Sequence, residues 1–386
     1  MTNAPTVDLT NERATVLRVG LDPSRRVLIA SDIHGNLPLL ERLLREAGFC
    51  DRDELFLLGD YVEKGAGSLA CLRFLMEFSQ RENVHLLMGN CDTVWEDVLT
   101  DGETNALAYM NFRRESILHE MCAEVGFSVD EETDIRDLRR ALRARFIPEM
   151  EFLKSLPHII ETERCLFAHA ALSSENLGEQ AAWDVMKNDG FLDKAPAFTR
   201  WLFVGHLPTC NYCRTIGRVD PLVDRERKIV SIDGGNVIRS GGQLNLFCVE
   251  NGEFSFRSAD FLPEVPVRAA QAASDDPLYV PWFENAVERL EEGEELSLCR
   301  HLSSGRALWI ANEELLRYRD GSLHCGEATD YFLPLVPGER VKVIRRYRER
   351  SFCKKDGALG WAANDRLDPE ALGRLPLGAD SAAYAP

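Results

Sequence analysis

The chain has 386 residues, 45% of them hydrophobic and 28% charged, with 19 Phe and 6 Trp, so it can bury a substantial core and is not a disordered protein. A formal charge of -18 argues against a nucleic-acid duplex as partner, because phosphate backbones are held by basic surfaces. No stretch approaches the roughly 18 apolar residues of a membrane span, and the first residues lack a basic and apolar leader, so a cytoplasmic protein without membrane contact is expected.

The first element is an apolar strand at about 26–31 that runs into Asp32-Ile-His34-Gly35-Asn36. Asn36 can cap a following helix whose Pro38 lies in the first turn, with Leu37, Leu40, Leu43, Leu44 and Ala47 as its apolar stripe. A second apolar run, Leu55-Phe-Leu-Leu, ends in Gly59-Asp60; a helix is expected over 67–80; a strand over 84–88 ends in Gly89-Asn90. This alternation predicts an α/β sheet, whose ligands gather at the carboxyl ends of strands.

From about 93 to 155 the pattern turns helical, which reads as an insertion beside the site. Strands resume at 164–168, ending in His169, and at 200–204, ending in Gly205-His206, and continue at 228–232, 243–249 and 253–258, the last two joined by Asn251-Gly252, a hairpin signal. A Pro- and Ala-rich break follows, so the expected boundaries are a first domain over 1–262, a linker with a short helix (near 282–292) over 263–294, a small all-β barrel over 295–372, and a tail over 373–386. The eleven cysteines are scattered and odd in number, as expected of reduced thiols, and Cys210-Asn-Tyr-Cys213 reads as a loop.

Five apolar runs that each end in a metal-type side chain are hard to obtain by accident. Two divalent cations about 3.5–4 Å apart can bind phosphate oxygens and lower the pKa of a water, given one bridging carboxylate and mixed nitrogen and oxygen donors. Asp60 is the natural bridge; Asp32 and His34 would complete one ion, and Asn90, His169 and His206 the other. Such a donor set suits Mn, Fe or Zn better than Mg or Ca.

These fragments, Asp32-Ile-His34-Gly35-Asn36, Gly59-Asp60-Tyr-Val-Glu-Lys64-Gly65, Gly89-Asn90-Cys91-Asp92, His169-Ala-Ala and Gly205-His206, resemble the calcineurin-like metallophosphoesterases, and most of all the phosphoprotein phosphatase branch and its bacterial relatives, which include diadenosine tetraphosphatases. Gly205-His206-Leu-Pro, without a second His, and Ser231 to Glu250, similar to closing strands, point to that branch. The resemblance covers about residues 25–260. It implies two mixed β-sheets packed face to face with helices outside, two divalent metals, and hydrolysis of a phosphorylated substrate: a phosphoprotein, nucleotide or small-molecule phosphate. Within it, Asp60, Asn90, Cys91, Asp92 and Lys64 occupy catalytic positions.

The departures are informative. Cys91 and Asp92 stand where the branch usually has His and Glu, and a thiol is a weaker hydrogen-bonding acid than the His that protonates the leaving group. Lys64 replaces an Arg fork by a point charge, Met88 stands where Arg is common, and Trp183-Asp184-Val lacks the Arg that usually follows, leaving Arg200 or Arg239 to compensate. A phosphodiesterase, or a phosphate-sensing adaptor of low activity, are the alternatives these departures raise. The stretch over about 295–370 resembles a bacterial SH3-like domain through Gly338 to Ile344 and Lys355 to Trp361. That resemblance implies a binding module for a protein or peptide, with Trp309, Tyr347 and Trp361 either lining a groove or filling the core, and Arg345 to Arg350 as a solvated hairpin face.

Overall fold

The computed structural model describes residues 12–113 and 115–378, and the chain divides into two units. The N-terminal segment and the end of the expected tail lie outside the described residues. The first unit runs up to Leu207 and adds Pro221–Val237 and Leu244–Ala259; the second takes Pro208–Asp220, Ile238–Gln243 and the chain from Asp260 on.

The first unit contains β1 (Val16–Arg18), β2 (Arg26–Ala30), α1 (Leu37–Ala47), β3 (Asp53–Leu57), α2 (Ser68–Phe78) and β4 (Val84–Leu86). The helical insertion follows as α3 (Trp95–Leu99), α4 (Ala106–Phe112), α5 (Ile117–Val125) and α6 (Ile135–Ser155). Then come β5 (Ile159–Glu161), β6 (Cys165–Ala168), α7 (Ala182–Met186), α8 (Phe191–Lys194), β7 (Trp201–Val204), β8 (Leu222–Asp224), β9 (Ile229–Ser231), β10 (Leu244–Glu250) and β11 (Glu253–Ala259).

Two mixed sheets form, β11-β10-β2-β3-β4 and β1-β5-β6-β7-β9-β8. Ile29, Phe56 and Phe247 from the first share one core with Ile160, Phe167, Phe203 and Val230 from the second, so the sheets pack face to face. The inner strands β3, β6, β7 and β9 are buried on both faces along most of their length, which is why they read as continuous apolar runs rather than alternations.

The insertion is tied to the second motif reciprocally. The Glu63 carboxylate accepts from Ser116 Oγ (2.8 Å) and the Ile117 N–H (3.0 Å) at the start of α5, while Glu120 on α5 accepts the Ser68 and Leu69 N–H groups (2.9 and 2.8 Å) at the start of α2. Each carboxylate satisfies donors that a helix start leaves open. Asn36 stands at the cap position of α1 but does not cap it; its amide donates to Asn236 Oδ1 (3.0 Å) instead.

The second unit is all-β apart from a short C-terminal helix, α9 (Pro369–Gly373). Its strands are β12 (Glu264–Pro266), β13 (Tyr279–Val280), β14 (Val287–Glu291), β15 (Leu296–His301), β16 (Ala307–Ala311), β17 (Leu315–Arg317), β18 (Leu323–Cys325), β19 (Ala328–Thr329), β20 (Arg340–Arg346), β21 (Arg350–Lys355) and β22 (Ala358–Ala363). They pair as β12-β20-β21-β22, β14-β15-β16, β13-β19 and β17-β18.

The helix expected near 282–292 is corrected: the segment holds a 3-10 turn at Trp282–Glu284 and then β14, because pairing with β15 overrides a short helical periodicity. The Pro- and Ala-rich stretch read as linker carries β12, with Val265 and Val267 in a core beside Leu333 and Val341. Arg345 is also not solvated; it is 7% exposed and bonded to Glu313 and Glu314. All eleven cysteines are free, and no helix among the described residues is long and apolar enough to cross a membrane.

Candidate active site

The five motif loops leave the carboxyl ends of β2, β3, β4, β6 and β7 and knit together through their backbones. The N–H groups of Asp32, His34 and Gly35 donate to the carbonyls of Gly59, Asp60 and Tyr61 (3.0, 2.9 and 2.8 Å), and Gly205 N–H donates to the His169 carbonyl (2.7 Å). The glycines permit this approach: a Cβ on Gly89 would stand 2.3 Å from the Asp60 backbone nitrogen, and one on Gly205 would stand 2.4 Å from Asp32 Oδ2. Asp32, His34, Asp60 and His206 all have φ between 49° and 69°, a left-handed conformation that costs non-glycine residues energy and concentrates at functional sites.

Each of the six expected ligand side chains has one polar atom held by the protein and one buried atom with no partner. Asp32 Oδ2 accepts from the His206 N–H (2.9 Å) and Asp60 Oδ1 from the Cys91 N–H (2.8 Å). His34 Nδ1 meets the Val62 carbonyl at 3.2 Å and His169 Nδ1 the Leu58 carbonyl at 2.6 Å; His206 Nε2 meets Asp189 at 2.9 Å. Asn90 Nδ2 donates to Cys91 Sγ at 3.5 Å. Left over are Asp32 Oδ1, His34 Nε2, Asp60 Oδ2, Asn90 Oδ1, His169 Nε2 and His206 Nδ1.

A buried polar atom without a partner is costly, so six brought together mark a place for a ligand that supplies the missing bonds. His34 Nε2 lies 4.0 Å from Asp32 Oδ1 and 3.7 Å from Asp60 Oδ2, and His169 Nε2 lies 3.4 Å from Asp60 Oδ1. Two ligand-type groups, His34, Asp60 and Cys91, and Asp60, His169 and His206, each have donor atoms within 4.8 Å of one another and share Asp60. Burial pushes the imidazoles of His34 and His206 down to about 3 and about 4, so both are neutral at pH 7, the form that ligates a cation. The donors therefore fit divalent metal ions.

The remaining residues take distinct places. Lys64 Nζ stands 3.8 Å from Asp60 Oδ2; burial would lower its ammonium, but the Asp60 and Asp32 carboxylates hold it above the usual lysine range. Burial, then the Asp60 carboxylate, push the Cys91 thiol far up, so it is a protonated and weak acid packed in the group with His34 and Asp60. Asp92 does not face the cluster: its carboxylate accepts the N–H groups of Asp60 (2.8 Å), Tyr61 (2.8 Å) and Gly89 (2.9 Å), clamping the second motif to the third. Arg200, at the opposite end of β7, pairs with Glu161 and Glu175 and does not serve the site. Met88 is buried, with its N–H on the Pro157 carbonyl.

Three participants carried no sequence signal of their own. Asp189 orients His206, and Lys187 Nζ reaches both Asp189 (2.5 Å) and His206 Nε2 (3.3 Å) from the turn after α7, at no fixed spacing from any motif. Asn236 donates to the carbonyls of Asp32 (3.3 Å) and Ile33 (2.8 Å), holding the first motif from the far end of the unit.

The chain belongs to the calcineurin-like phosphoesterase family, whose model matches residues 25–218. It is similar to the symmetrical bis(5'-nucleosyl)-tetraphosphatases of Glaesserella parasuis serovar 5 (strain SH0165), 42% identical over 65 residues, and of Actinobacillus pleuropneumoniae serotype 5b (strain L20), 40% identical over 65 residues. Each match covers 17% of this chain and only 23% of the relative. Among solved structures, a serine/threonine phosphatase from Saccharomyces cerevisiae aligns at 13% identity and TM-score 0.40 over 65% of this chain and 85% of its own. A cold-active protein-tyrosine phosphatase of a Shewanella species aligns at 15% identity and TM-score 0.40 over 66% and 85%.

Proposed function

We propose that the chain hydrolyses phosphate monoesters with water activated at two divalent metal ions, on a phosphoprotein, nucleotide or small-molecule phosphate. The observation that carries this is the set of six side chains, each tied at one atom and unpartnered at the other. Asp60 serves both halves, Asp32 and His34 complete one, and Asn90, His169 and His206 the other; the mixed donors favour Mn, Fe or Zn. Ions bound there supply Lewis acidity, lowering the pKa of a water and neutralising charge on the phosphoryl oxygens. The Val62 and Leu58 carbonyls fix the ring orientations of His34 and His169, and Asp189 does the same for His206. Lys64 offers a permanent positive charge to a phosphoryl oxygen.

Cys91 favours a second reading. A buried thiol that stays protonated gives little acid assistance, so bonds whose leaving group departs without a proton are the better substrates. A phosphoanhydride qualifies, and the relatives named as dinucleoside tetraphosphatases agree with it. The phosphoprotein phosphatase branch and a cytoplasmic setting, with every cysteine free, belong to the same proposal. So does an SH3-like reading of the C-terminal unit as a protein- or peptide-binding module. Turnover of p-nitrophenyl phosphate, bis-p-nitrophenyl phosphate and diadenosine tetraphosphate with added Mn separates monoesterase, diesterase and anhydride hydrolase; no turnover of any of them would leave the adaptor reading.

A further inference from the structure

Among the described residues of the C-terminal unit, Glu327 is the buried carboxyl with an oxygen that lacks a partner. It is 8% exposed and stands immediately before β19. Oε1 accepts from the Tyr279 hydroxyl at 3.3 Å, and Oε2 accepts from nothing. Burial pushes the carboxyl up to about 7, with Arg239 working against this, Glu314 with it, and the Tyr279 hydroxyl and Lys354 against it.

Glu327 lines a cavity of about 20 Å³ together with Glu314, Arg345, Trp309, Tyr347 and Trp361. Arg345, also on the lining, is held by Glu313 (2.8 Å) and Glu314 (3.4 Å) through Nη1. The polar ends of two of the aromatics are also occupied: Trp361 Nε1 donates to the Thr329 carbonyl (2.7 Å) and the Tyr347 hydroxyl to Glu313 (2.8 Å). What remains is aromatic and aliphatic carbon, the small Ser240 and Thr329 side chains and the unpartnered Glu327 oxygen, around room for a single water-sized group.

We propose that this cavity binds a primary alkylammonium group, such as a lysine side chain carried by a peptide, with the ammonium on Glu327 and the alkyl stem leaving past Trp309. A primary ammonium matches water in size, supplies the donor that Oε2 lacks, and is attracted to aromatic surface. A trimethylammonium or guanidinium exceeds the volume, and an amide has no charge to offer. Trp309, 37% exposed, is the lining residue placed to meet a stem from solvent.

The test is a titration of the full chain, followed by tryptophan fluorescence at fixed ionic strength, with Nα-acetyl-lysine amide, its Nε-acetyl and Nε-trimethyl derivatives, and cadaverine. Saturable binding of the lysine probe is expected, weaker by about tenfold or more for both derivatives and for Glu327→Gln at unchanged melting temperature. Cadaverine binding more tightly than the lysine probe assigns the ammonium to a free diamine, and the reverse assigns it to a peptide. Should Glu327→Gln unfold, Trp309→Ala decides, with a several-fold loss expected. Absence of saturation, equal binding of the trimethyl derivative, or full affinity in the variant that folds would overturn the assignment and leave a cavity that holds water.

Discussion

In the C-terminal unit the buried ammonium of Lys354 has three acceptors, Asp260 at 2.8 Å and the carbonyls of Gly241 and Gly242 at 2.9 and 3.2 Å, whereas in the first unit the buried ends of Asp32, His34, Asp60, Asn90, His169 and His206 have no hydrogen-bond partner. Burial is nearly complete in both places, so burial alone does not distinguish structure from function. The difference lies in who completes the bonds. Lys354 is completed by its own chain and holds the fold together; the six are completed only by something added, and four of them sit in costly left-handed backbone to stay aligned. A stable protein keeps such an arrangement only if a ligand offsets it.

The sharpest way to break the comparison is to exchange one member on each side. Asp60→Asn should lower kcat/KM by about 10³-fold or more, because it weakens both halves of the site, and by more than Asp32→Asn, while the melting temperature of the metal-stripped protein changes little. Lys354→Met should do the reverse: kcat of the folded enzyme stays, and urea unfolding shows a loss of about 3 kcal/mol, moderated because Lys342 still reaches Asp260 at 2.9 Å. Equal activity losses in the two would erase the distinction.

Cys91 gives a third test. If acid assistance is weak, aryl esters should outrun alkyl esters in wild type, and Cys91→His should raise alkyl-ester turnover by up to roughly 10²-fold. A leaving-group series with no dependence on leaving-group pKa in wild type would show that assistance is intact.

Glu63 offers the smallest effect. Burial raises its carboxyl from 4.5 to about 7, so the folded chain holds a proton there that the unfolded chain has released. That stability is fully present below pH 4.5 and is lost as pH rises through 7, by about 2 kcal/mol between pH 5 and pH 7. Glu63→Gln should flatten this slope in urea titrations at the two pH values; an unchanged slope would mean that Glu63 is not the group responsible.

The cluster of candidate ligands was legible in the sequence because its members follow apolar runs that read as buried strands, and because Gly59, Gly89 and Gly205 mark close approaches that a side chain would block. The sandwich was legible for the same reason. Asp92 reads as chemistry because it is a carboxylate two residues after Asn90, whereas the fold puts both its oxygens on backbone N–H groups. Lys187, Asp189 and Asn236 were invisible because they arrive from turns whose position is set by tertiary packing rather than by spacing. In the C-terminal unit, β14 was missed because a five-residue strand with one buried position carries no period-2 signal.

Metal content is the most direct test of the central claim. Protein stripped by chelator, reloaded with Mn and freed of excess by gel filtration should carry two equivalents per chain by elemental analysis, since six donors divide around a shared Asp60. One equivalent in the wild type, with full activity, would contradict a dinuclear site.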